Sequence, residues 1–155
     1  MEDFRVPKRR VPAQVVMPNG EARRISLFLA ATRASRGPER PSDLLNGGDG
    51  FVPAVDEASG GMTFLNRTAI VLVRVDRALE GDDADAVTLP TEHEVEVLLF
   101  SGARLRGLVS YLRPAGHSRL IDFLNEPPAF FRLIEEGAIA LVNKRHVSRV
   151  ALVNA

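Results

Sequence analysis

The residues of this chain with the chemistry to hold a ligand or a partner come in two matched sets. Arg40, Asp43 and Asn46 stand at the same spacing as Arg119, Asp122 and Asn125, and Asn66-Arg67 is answered by Asn143-Lys144-Arg145. An Asp and an Asn held together can hydrogen-bond a base or a partner's backbone, because both side chains accept and Asn also donates. The same residues have a purely local use, in which Ser42 or Asp43 caps a helical turn and the Asn closes it in a left-handed conformation. An Arg three residues ahead shares one face of such a turn with the Asp. An exposed pair of that kind contributes about 0–1 kcal/mol.

Catalysis has less footing. His93, His117 and His146 are far apart with no partner spacing, so neither a metal site nor a His-based triad is indicated. Gly47-Gly48-Asp49-Gly50 lacks the Lys and the following helix of a phosphate-binding loop. There is no Cys, which excludes disulfides, thiolate nucleophiles and Cys-based zinc sites. The chain reads as non-catalytic, with no cofactor and no metal.

The matched sets belong to a longer repetition. Asp43-Leu44-Leu45-Asn46 returns as Asp122-Phe123-Leu124-Asn125, each followed five residues on by a Phe, Phe51 and Phe130. Leu65-Asn66-Arg67-Thr68-Ala69-Ile70 and Val73 return as Val142-Asn143-Lys144-Arg145-His146-Val147 and Val150, and the turn at Asn19-Gly20 is echoed by Ser101-Gly102. Landmarks recurring in one order, at offsets drifting only from about 82 to about 77 residues, point to an internal duplication.

A chain of 155 residues divides into two units near the lower size at which a domain builds its own core, so the halves are expected to lean on each other or on another subunit. The formal net charge is zero, which removes any global attraction to nucleic acid or anionic lipid and leaves only local patches. The N-terminal segment lacks the apolar stretch of a secretory signal, and no run is long enough for a membrane helix. The reading is cytoplasmic.

Asn19-Gly20 between two apolar runs is a strong hairpin signal, since both residues tolerate positive φ. Glu92 to Phe100 alternates and then turns fully apolar, as in a half-buried strand that becomes buried. Phe51 to Val55 and Met62 to Val75 also read as strands, the second long enough to bend or split. Phe51, Phe130 and Phe131 are assigned to the core. The fold expected is mainly β: two tandem repeats of a small bent-sheet or barrel unit, each with one short helical turn. They cover residues 11–76 and 92–155, with a flexible basic arm at 1–10 and an acidic linker at 77–91.

The stretch from Val95 through Ser101-Gly102 to Gly107 resembles the first motif of the Sm-like family, which includes the Hfq-like RNA chaperones. That motif is an apolar strand, a small-residue turn, and a second Gly where the next strand bends. Val142, Lys144, Val147, Ser148 and Val150 are similar in spacing to the second motif, and Asp122 and Asn125 resemble the Asp and Asn of the family's pore-facing loop. The first copy departs from the pattern, with Ile25 in place of the second Gly and Arg67-Thr68 in place of the family's Lys-His pair. The resemblance implies a small barrel and an RNA-binding capacity.

Two functions from different classes follow. The favoured one is an interaction module, with edge strands and Asp-x-x-Asn loops offered to a protein partner or to a second copy of the chain. The alternative is an Sm-like RNA binder in which Asn66, Arg67, Asn143, Lys144 and Arg145 line a basic rim, with Phe64 and Phe123 as stacking surfaces. A third pattern, Lys8-Arg9-Arg10 ahead of Asp43-Leu44-Leu45-Asn46-Gly47-Gly48, faintly resembles the PilZ arrangement that binds cyclic dinucleotides.

Overall fold

The two apolar runs around Asn19-Gly20 pair as antiparallel strands β1 (Lys8–Val16) and β2 (Ala22–Ala30), with Lys8 opposite Ala30 and Val16 opposite Ala22. Gly20 makes the turn possible at φ 85°, a conformation that side-chain-bearing residues rarely adopt. Lys8, Arg9 and Arg10 are therefore part of β1 and not of a flexible arm, because β2 is long enough to give them ladder partners. The computed structural model describes residues 7–31, 37–48, 50–81, 90–112 and 119–153. His117 and the middle of the expected linker lie outside these residues.

A short helix α1 (Pro41–Leu45) follows, then β3 (Phe51–Asp56), β4 (Met62–Asn66) and β5 (Leu72–Asp76). The long β-branched run from Met62 to Val75 is thus split by a turn beginning at Arg67, where Asn66 Oδ1 accepts the Thr68 N–H at 3.1 Å. Helix α2 (Arg77–Glu80) occupies the start of the segment expected as linker. The second half consists of β6 (Thr91–Leu99), β7 (Arg104–Tyr111), α3 (Leu120–Leu124), β8 (Phe130–Glu135), β9 (Ala138–Asn143), a 3-10 turn at Lys144–His146, and β10 (Val147–Leu152).

All ten strands form one antiparallel sheet, in the order β10-β6-β7-β8-β9-β5-β1-β2-β3-β4. The sheet does not close on itself, so β10 and β4 each leave one edge unpaired among the described residues. Within the order, each half has its fifth strand beside its first. Registers recur as well: Val15 lies opposite Val73 and Arg23, and Val97 lies opposite Val150 and Leu105. Val52 opposite Leu65 likewise corresponds to Phe131 opposite Val142.

The halves join where β5 pairs with β9, from Leu72 opposite Val142 to Asp76 opposite Ala138. Alternation sends the two faces of each joining strand to different cores. Val73 and Val75 of β5, with Ile139 and Leu141 of β9, pack with Val15, Ile25, Leu27 and Val52 of the first half. Leu72 of β5, with Ala140 and Val142 of β9, packs with Val97, Val109 and Leu133 of the second. Phe130 also enters the first core, although β8 belongs to the second half. Fully burying a side chain of this size contributes about 1.5–3 kcal/mol, so neither core is complete without residues of the other half.

Two of the three phenylalanines assigned to the core are there, Phe130 and Phe131. Phe51 is not; it is 59% exposed, on a strand next to the end of the sheet.

Gly107 marks the closest approach in the second half. A Cβ there would lie 2.5 Å from the Ile134 carbonyl oxygen and 3.0 Å from Leu133 Cγ. Since a backbone carbonyl cannot give way like a side-chain tip, Gly107→Ala is expected to lower stability by about 1–3 kcal/mol, read from urea unfolding. An unchanged midpoint would show that β7 and β8 can spread apart.

Candidate interaction surface

The recurring polar residues fall into three groups: those engaged within their own half, those that bind the halves together, and those left at the ends. Arg40 takes the N-cap position of α1, with Asp43 at the third helical position accepting the Arg40 N–H at 3.0 Å and its guanidinium at 3.2 and 3.3 Å. Neither Ser42 nor Asp43 is the N-cap. Arg119 takes the N-cap position of α3, and its guanidinium pairs with Asp122 at 3.1 and 3.2 Å. Pairing with Asp122 raises the pKa of the Arg119 guanidinium. Asn46 and Asn125 end their helices at φ −90° and −91°, and so not in the left-handed conformation.

Their side chains then diverge. Asn46 donates to the Phe130 carbonyl at 3.1 Å and accepts the Phe130 N–H at 2.8 Å, clasping β8 across the join. Asn125 has no side-chain hydrogen bond among the described residues. The other pair differs likewise. Asn143 is 1% exposed, and its amide donates to the Ile70 and Arg67 carbonyls of the first half at 2.9 and 3.3 Å. Asn66 is exposed, and among the described residues only its oxygen is engaged, within its own turn.

The basic partners are drawn inward. Arg67 donates to the Leu45 and Leu44 carbonyls at 3.0 and 2.7 Å, which holds α1 against the turn after β4. Lys144 donates to the Glu126 carbonyl at 2.7 Å, and burial pushes its ammonium below the ordinary lysine range. Arg145 stays exposed, with its backbone N–H held by Asn143 Oδ1 at 3.0 Å. The expected basic rim is therefore not assembled as one surface: Asn143 is buried, and Arg67 and Lys144 serve backbone carbonyls. Of the two stacking candidates, Phe64 is exposed on β4, while Phe123 is stacked on Tyr111 at 4.9 Å.

Arg40, Asp43, Asn46 and Lys144 do meet around one cavity of about 490 Å³, which also touches Phe123, Phe131 and Arg132. Arg132 is turned to Glu80, at 2.6 Å, and the same carboxylate accepts the Ser42 N–H at 2.8 Å. Glu80 thereby ties α2, α1 and β8 together from a buried position. Sequence reading passes over it because an acid in an acidic run looks solvated.

The surface that remains is apolar. Phe51, Met62 and Phe64 are 59%, 54% and 64% exposed beside the free edge of β4, and Leu152 is 45% exposed on β10. Among the described residues no cluster of acidic or histidine side chains has the grouping to hold a metal, and no helix is long and apolar enough to cross a membrane. Lys8, Arg9 and Arg10 lie in β1, opposite Ala30, Leu29 and Phe28 of β2. Comparison with known proteins finds no matching family model, no similar curated protein and no similar solved structure.

Proposed function

We propose that this chain is an internal duplication of an Sm-like β unit, and that it works in the cytoplasm as a non-catalytic module acting through protein-protein contacts. The recurrence of strand order and register in the two halves supports the duplication. The observation that carries the function is the free edge of β4: Met62-Thr63-Phe64-Leu65-Asn66 holds no charge and no Pro, and Met62 and Phe64 stand in solvent. Proteins ordinarily blunt such an edge, because its unpaired backbone groups recruit another strand. An edge left sticky in a charge-balanced chain fits strand addition.

RNA binding is the second reading, favoured by exposed Asn66 and Arg145 and by Lys144, which has no carboxylate partner among the described residues. Fluorescence anisotropy with labelled uridine-rich and adenosine-rich RNA, at low and moderate salt, separates the two. The protein-module reading expects no micromolar binding. Binding that falls steeply with salt would replace it with the RNA reading, since phosphate contacts release counterions.

A further inference from the structure

We infer that the partner of the β4 edge is a second copy of this chain, added head to tail so that β4 of one copy pairs with β10 of the next as β9 pairs with β5. The inference rests on the protein-module reading and names its partner. What carries it is a set of contacts made once at the internal join and left unmade at both ends. In sequence and register, Phe51, Met62, Phe64 and Asn66 correspond to Phe130, Ile139, Leu141 and Asn143. The first four are exposed; the second four are 3%, 6%, 0% and 1% exposed, because they are inserted into the other half.

The receiving side shows the same incompleteness. Asn46 at the end of α1 clasps the backbone of Phe130, whereas Asn125 at the end of α3 clasps nothing among the described residues. Val73 and Val75 of β5 are buried against β9, whereas their counterparts on β10, Val150 and Leu152, are half-buried and exposed. Transferring the internal register fixes the new one: Leu65 opposite Arg149, Phe64 opposite Val150, Thr63 opposite Ala151, and Met62 opposite Leu152. Phe51, Met62 and Phe64 of one copy then complete the second core of the next, and Asn125 takes the Phe51 backbone. The Asn66 amide would reach the carbonyls after the 3-10 turn of the neighbour, as Asn143 reaches Ile70. The contact is heterologous, so repeated addition closes a ring or extends a filament.

The absence of Cys permits a clean test. Light scattering of the full chain at rising concentration should give a mass at a whole multiple, two or more, of 16.9 kDa. The double variant Thr63→Cys/Ala151→Cys should form a disulfide-linked ladder under mild oxidation, while neither single variant does, because directly opposed residues have the spacing a disulfide needs. Phe64→Arg should weaken association about 30-fold or more, and Asn125→Ala about 5-fold, both with unchanged circular dichroism. A mass of 16.9 kDa at every concentration with no ladder overturns the self-pairing; with RNA binding also absent, the protein-module reading survives, whereas salt-sensitive RNA binding by that monomer ends both. An oligomer that yields no ladder and ignores Phe64→Arg overturns the β4–β10 register.

Discussion

Arg132→Leu is expected to cost about 3–5 kcal/mol, much of the margin by which an ordinary domain is folded. The substitution leaves the Glu80 carboxylate, 1% exposed, with the Ser42 N–H as its remaining partner. A buried charge stripped of its counter-ion loses the attraction that offset its desolvation. Replacing both partners removes the penalty, so Arg132→Leu/Glu80→Leu should be more stable than Arg132→Leu alone. Urea unfolding of the two variants and the parent measures this. A double variant no better than the single one would show that the pair does not govern the tie between α2, α1 and β8.

Leu141→Ala should cost about 2–5 kcal/mol, the range for truncating a fully buried Leu. Its more informative effect is on both halves at once, because Leu141 lies on β9 of the second half and fills the core of the first. Tyr111 is the only Tyr and there is no Trp, so its fluorescence reports the second half, while circular dichroism reports the whole sheet. The two signals should shift together in the variant and coincide in the parent. Separated transitions would show that each half unfolds independently.

Local signals in the sequence reached the strands and turns well. Asn19-Gly20 and Ser101-Gly102 are the expected hairpin turns, with both glycines at positive φ, and the Asp-x-x-Asn segments are short helices. The mainly β character follows from these. What a local pattern does not carry is which distant strand lies alongside. Phe51 and Phe130 look alike in sequence, yet one is exposed and the other buried, because only β8 has another half to lean on. The Asp-x-x-Asn pairs show the same split, with the Arg-Asp contacts in place at both sites and the Asn contacts at one. Glu80 was hidden for a different reason, since its burial depends on α2 folding back onto α1 and β8. One long-range clue did exist. Ile139-Ala140-Leu141-Val142 is apolar without alternation, the mark of a strand buried on both faces.

That strand has an evolutionary consequence. A mutation on the outer face of an ordinary half-exposed strand is nearly free, so half of its positions can drift. In β9 every position from Ile139 to Asn143 answers to one neighbourhood or another, and a one-residue insertion would send Ile139 and Leu141 where Ala140 and Val142 now fit. Descendants of this chain are therefore bound to keep β9 at its present length and nearly at its present composition. Tolerated differences between the two halves should therefore gather away from this strand.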